Sequence, residues 1–139
     1  VPATITLAQA RDSVLALVRA AWLTVAPAAP LVYDNVDSSA PAVPTTFGRA
    51  TVRWVGSSRA ALGPNGLWRR EGLVFVQIFV PHGSTTVTVD SIAEALVRAL
   101  ENPGATGNIW FRDAGPSDIG SDGVYHQCNV VASFIFDTI

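Results

Sequence analysis

The sequence predicts an α+β two-layer sandwich: a mostly antiparallel sheet with two helices on one face, in the order α-β-β-β-α-β-β. Three observations lead there. Two segments, 7–21 and 92–100, repeat apolar residues at helical spacing, whereas 73–80 and 124–137 alternate residue by residue, as strands do. Short Gly- and Pro-containing connections join most of the strands, which favours antiparallel hairpins and leaves both helices to pack on one face.

The first helix has the clearest start. Thr6 followed by Gln9 fits a capping box, with Ile5 before it as a hydrophobic staple. Leu7, Ala10, Val14, Leu17, Val18 and Ala21 make its apolar stripe, Asp12 and Arg19 are placed to suit the helix dipole, and Pro27 and Pro30 stop it. Residues 31–36 (Leu-Val-Tyr-Asp-Asn-Val) read as a short strand. An extended loop over 37–48, with Pro41 and Pro44, follows; loops of this length in small domains often carry function.

Ala50 to Ser57 reads as a strand with Val52 and Trp54 on one face and Thr51, Arg53 and Val55 on the other. The turn Gly63-Pro-Asn-Gly66 lies in a second extended loop, 58–67. The next strand, Trp68 to Val80, has two apolar faces: Val74, Val76, Ile78 and Val80 on one, Leu73, Phe75 and Phe79 on the other with Gln77 between them. Such a strand belongs in the centre of a sheet, covered on both sides. The second cover is then another layer or a neighbouring subunit.

Pro81-His-Gly-Ser ends that strand. The second helix starts between Thr85 and Asp90 and stops at Asn102-Pro-Gly104; Ile92, Ala93, Leu96, Ala99 and Leu100 form its apolar face, and Glu94 and Arg98 pair on the other side. A short strand over 108–113, a loop over 115–123 and a long strand from Val124 to Asp137 complete a single domain spanning 1–139. In that last strand Val124, His126, Cys128, Val130, Ala132, Phe134 and Phe136 share one face.

Composition narrows the function classes. Of 139 residues 49% are hydrophobic and only 14% charged, against about 25% in an ordinary globular domain. Mean hydropathy is +0.33. Arginine supplies every basic side chain, and the net charge of −2 argues against a general nucleic-acid binder. One cysteine, Cys128, excludes a disulfide scaffold and a cysteine-rich zinc module. The longest apolar stretch, Val14 to Pro30, is interrupted by Arg19, so no membrane span is expected. A signal peptide is not expected either, because a basic start is missing and Asp12 stands where the apolar region would build. The expectation is a protein that hides apolar surface by oligomerising.

No catalytic constellation is visible: there is no G-x-S-x-G, phosphate-binding loop, G-x-G-x-x-G or H-E-x-x-H. His126 and Cys128 lie two apart on one strand face and read as packing residues, and Asp113, Asp118 and Asp122 read as acids of a solvated turn. A small-molecule-binding α+β domain would use Tyr125, His126 and Cys128 as pocket residues. The arginines and tryptophans say more. Arg49, Arg53, Trp54, Arg59, Trp68, Arg69 and Arg70 fall on one predicted hairpin, with Trp110 and Arg112 on another strand. Both residue types are enriched at interface hot spots. Arg49, Arg53, Trp54, Trp68, Arg69, Arg70, Trp110 and Arg112 are therefore the candidate subunit or partner interface. The alternative is that Trp54 and Trp68 are core residues and the arginines a solvated strand edge.

The chain resembles the tail terminator-like proteins of long-tailed bacteriophages, prophages and gene-transfer agents. The resemblance is carried by the helix ending in Trp22, by Tyr33-Asp-Asn-Val before a proline-containing loop, by the strand bearing Arg53 and by Ile92-Ala-Glu-Ala-Leu in the second helix. Its best segment is Arg70-Glu-Gly-Leu-Val-Phe-Val-Gln-Ile-Phe-Val-Pro-His-Gly83. It implies a virion protein assembled in the bacterial cytoplasm as a hexameric ring at the head-proximal end of the tail tube. Such a ring stops tube polymerisation and offers a docking surface to the head connector, while DNA passes through its lumen without specific binding. No enzymatic activity, cofactor, metal or membrane contact is implied. A head-closure or tail-tube protein of the same virion is the close alternative.

Overall fold

A computed structural model describes residues 4–33, 45–63, 66–83, 86–102 and 109–138. Parts of the expected elements fall outside them: 34–36 of the first strand, 37–44 of the first loop, Pro64 and Asn65, residue 85, Pro103-Gly104 and Asn108.

Helix α1 spans Leu7–Val25 and begins with the expected capping box: the Gln9 amide donates to Thr6 Oγ1 at 3.1 Å, and the Thr6 amide donates to Gln9 Oε1 at 3.0 Å. Its buried stripe is Ala10, Val14, Val18 and Trp22, one residue per turn on one side. Beyond Val25 the Ala26 amide donates to Trp22 O at 2.7 Å and Pro27 ends the run. The dipole expectation is not met. The first turn holds no acid and the last no base, so Asp12 and Arg19 lie outside the turns where that field is felt.

The strands are β1 (Leu31–Tyr33), β2 (Phe47–Arg59), β3 (Trp68–Pro81), β4 (Ile109–Ser121) and β5 (Tyr125–Thr138), with α2 (Thr86–Glu101) between β3 and β4. They form one five-stranded sheet in the order β1-β2-β3-β5-β4. The fold is α+β with the predicted element order. β2, β3, β5 and β4 pair antiparallel in turn, while β1 runs parallel to β2 beside Gly48–Ala50. A parallel pair needs a crossover connection, where a tight hairpin would have forced antiparallel pairing. β2 takes up 47–48 from the end of the first expected loop and 58–59 from the start of the second.

The largest departure is β4. Expected to end at Asp113 and give way to a loop, it continues to Ser121. Two register shifts, between Arg112 and Gly115 and between Asp118 and Gly120, absorb the irregular residues, with Asp113 at φ 56° and Gly120 at φ 108°. Both turn signals are thereby used up as bulges inside a strand. Pro116 is tolerated because β4 is an edge, where no ladder bond is required of its missing N–H.

Both helices pack on one face. Ala10, Val14, Val18 and Trp22 of α1 join Val89, Ile92, Ala93, Leu96 and Leu100 of α2 over Val74, Val76, Ile78 and Val80 of β3 and Cys128, Val130, Ala132, Phe134 and Phe136 of β5. Val74, Val76 and Ile78 have no exposed surface. β3 is central, as its composition requires, yet Leu73, Phe75, Gln77 and Phe79 on its other face are only half-buried. Among the described residues nothing covers that face.

Candidate assembly surface

The helix-free face has three zones, set by strand register. At one end Phe47 lies opposite Phe79, and the rings stack at 4.6 Å and 11°; Tyr125 meets them edge-on at 5.3 and 6.0 Å. In the middle Thr51, Arg53, Phe75, Gln77 and Asn129 line a shallow depression, and Gln127 Nε2 donates to Asn129 Oδ1 at 2.9 Å. At the far end are two cross-strand ion pairs. Arg69 grips Asp137 with two bonds, Nε to Oδ1 at 2.9 Å and Nη2 to Oδ2 at 3.2 Å, while Arg112 Nη2 donates to Glu71 Oε1 at 2.7 Å. Asp137 is buried, and the bonded carboxylate holds the Arg69 pKa above its ordinary value.

The candidate interface residues therefore divide. Strand alternation puts Arg49, Arg53, Arg69, Trp110 and Arg112 on the open face, with Trp110 opposite Ile135 and 51% exposed. Trp54, Trp68 and Arg70 project to the helix side. Trp54 lies against Phe134 and Phe136 at 6.1 and 5.6 Å, with the Arg11 guanidinium 5.1 Å from its ring. Trp68 lies between the guanidinium groups of Arg59 (4.8 Å) and Arg70 (5.7 Å). Arg70 also donates to Thr138 Oγ1 at 3.0 Å and Ser57 Oγ at 2.8 Å. Arg69, Arg70 and Arg112 thus serve internal contacts, whereas Arg49 and Arg53 have no ion-pair partner among the described residues. Sequence reasoning missed Phe47 and Asp137, and named Tyr125 only as a pocket residue of the small-molecule-binding alternative. The signal for Tyr125 and Asp137 was the alternation of 125–137, which places them on the same face as Phe79 once the register is known.

Cys128 is buried; its environment raises the thiol pKa, through desolvation first and the charge of Asp118 second. That is the opposite of an activated nucleophile. Its Sγ makes a weak contact to Asn129 O at 3.9 Å. Among the described residues no group of three or more His, Cys, Asp and Glu side chains is placed to hold a metal ion, and no helix is long and apolar enough to cross a membrane.

Asp122 closes the β4–β5 turn by accepting the amides of Val124 (2.8 Å) and Tyr125 (2.7 Å), which lower its pKa. A depressed carboxyl pKa stabilises the fold above the unfolded value, and this contribution is lost as pH falls through the lowered value. Protection of the Val124 and Tyr125 amides, measured relative to their intrinsic exchange rates, should therefore fall in acid, and Asp122→Ala should produce the same loss of protection at neutral pH.

No family model and no curated protein is similar to the chain. Solved structures are. One is 19% identical at a TM-score of 0.58, covering 90% of this chain and 96% of its own. Another, a chain from the virion of a native gene transfer agent particle, is 16% identical at a TM-score of 0.52, covering 96% of this chain and all of its own. Both likenesses are likenesses of fold.

Proposed function

We propose that the chain is a structural subunit of a phage-like virion: a tail terminator that closes into a ring on the head-proximal end of the tail tube. The ring halts tube growth and presents a surface to the head connector. One observation carries the reading. A sheet covered by helices on one face leaves half-buried aromatic and aliphatic side chains on the other, within a fold that a gene transfer agent virion chain shares over its whole length. An incompletely covered apolar sheet face suits a subunit that other subunits complete. The segment carrying the family resemblance, 70–83, is largely β3 and presents both faces: Val74, Val76, Ile78 and Val80 inward, and Phe75 and Phe79 outward. With a net charge of −2, the ring would let DNA pass through its lumen without gripping it.

A metabolite-binding domain is less well supported. The space between helices and sheet is filled by core side chains, and the depressions of the open face are shallow. A head-closure or tube protein shares the virion reading and differs in how it assembles. Negative-stain microscopy with light scattering tests all three. Purified protein should give single rings that cap added tail tubes. Long stacks would indicate a tube protein. A strict monomer at high concentration that ignores tubes would overturn the proposal.

A further inference from the structure

Resting on the ring reading above, we propose that the solvent side of α2 in one copy covers the open sheet face of the next. The open face sets the condition. The pairing registers place Arg49, Arg53, Arg69 and Arg112 on it, with Glu71 and Asp137. Asp137 holds Arg69 and Glu71 holds Arg112, which leaves Arg49 and Arg53 exposed and in no ion pair among the described residues. β1 lies beside Arg49 in the sheet, yet the side chain stays exposed. Assembly that covers this face also takes water from both guanidinium groups, and a buried charge without a counter-charge is costly. The covering surface therefore brings carboxylates. The open face of a second copy fails this condition, since it would set arginines against arginines.

α2 meets it. Val87, Asp90, Glu94, Arg98 and Glu101 recur at helical spacing on its solvent side, and all are exposed. Glu94 pairs with Arg98 at 2.8 Å, whereas Asp90 and Glu101 are in no ion pair among the described residues. Asp90 and Glu101 are close to three whole turns apart, about 16 Å along the axis. Arg49 and Arg53 are about 13 Å apart along β2, a difference that long side chains span. The order matches too. Val87, 68% exposed, precedes Asp90 as Phe47, stacked on Phe79, precedes Arg49, so α2 laid along β2 brings both charges and the apolar end onto their complements. α1 offers no such surface: its exposed charges are Arg11, Asp12 and Arg19, a net positive set. The open face and the solvent side of α2 lie on opposite sides of the two-layer fold. The joint is therefore heterologous, and it repeats from copy to copy until it closes as a ring.

Two charge-reversed full-length chains test the joint. One carries Arg49→Glu and Arg53→Glu, the other Asp90→Arg and Glu101→Arg. All four side chains are exposed, and circular dichroism with urea melts checks that both chains fold. Where a reversal impairs folding, Arg49→Gln with Arg53→Gln, or Asp90→Asn with Glu101→Gln, removes the charge without reversing it and should lose rings in the same way. Each reversed chain alone should lose rings by about tenfold or more at matched concentration, because its seam sets like charge against like. An equimolar mixture should restore them, since alternating copies again place acid over arginine. Arg19→Glu, on α1, should leave rings unchanged; loss there would put α1 rather than α2 over the sheet and overturn the joint. Rings formed equally well by either reversed chain alone, or loss in both without restoration on mixing, would also overturn it, leaving the ring reading standing and the open face to a different protein. A wild-type chain that forms no rings would overturn both.

Discussion

Ile78→Asp is expected to abolish folding, while Phe79→Asp, one residue further on, is expected to leave a folded monomer. The two side chains leave β3 on opposite faces. Ile78 has no exposed surface and sits between α1 and α2 and the sheet, with apolar neighbours throughout the helix-side core. A carboxylate there has no described cation to meet. An uncompensated buried charge costs about 3–5 kcal/mol, and losing the isoleucine packing costs about 2–5 more. Together these match the whole stability of a typical domain. Phe79 is half-buried on the open face, stacked on Phe47 and touched by the edge of Tyr125. Its replacement forfeits those aromatic contacts, about 1–2 kcal/mol, and leaves the new carboxylate reachable by water. The Ile78 variant should be insoluble or lack a cooperative urea transition. The Phe79 variant should melt cooperatively yet fail to form rings, because the charge now sits on the surface that assembly covers. A Phe79 variant that assembles normally would remove the aromatic end of the open face from the proposed contact surface.

That those neighbours face opposite ways was readable from alternation alone, since strand period places successive residues on opposite faces whatever the fold around them; which face lies open was not, because both are apolar and both read as covered. The capping box of α1 and the central position of β3 were legible for the same reason: each depends on residues close together in the chain. What escaped depends on register. Arg69 and Arg70 are adjacent in sequence and look like one basic patch. In space the first grips Asp137 on the open face and the second bonds Thr138 on the helix side. The Glu71–Arg112 pair joins strands separated in the sheet by β5, which no local pattern reveals. β4 was cut short because Gly115, Pro116 and Gly120 are turn residues by type; their role as bulge and edge residues follows from β5 lying alongside to pair with them.

Changes at the contact between Trp22 and Gly48 should bring the second large loss, and one that is partly reversible. Trp22 is buried at 1% exposure at the C-terminal end of α1, and its indole Nε1 donates to Ala29 O at 2.9 Å, tying the chain beyond the helix back onto it. The outer edge of its six-membered ring lies against Gly48, at the start of β2, whose amide donates to Pro30 O at 3.0 Å. A Cβ on Gly48 would stand 2.5 Å from Trp22 Cη2 and 2.7 Å from Cζ3, closer than carbon atoms pack. Gly48→Ala should therefore displace the indole and cost about 1–3 kcal/mol as an overpacked site. Trp22→Ala should cost about 3–5 kcal/mol through the cavity it leaves. The two losses should not add. With the indole gone a methyl on Gly48 has space to occupy, so Gly48→Ala made in the Trp22→Ala background should be nearly neutral or mildly stabilising. The coupling between them should reach about 1–3 kcal/mol, within the range of side chains in direct contact. Urea midpoints for the four chains measure it. Simple additivity would mean that α1 does not rest on the start of β2 as described. Strong coupling would identify this contact as what holds β1 and the parallel end of the sheet against the helix.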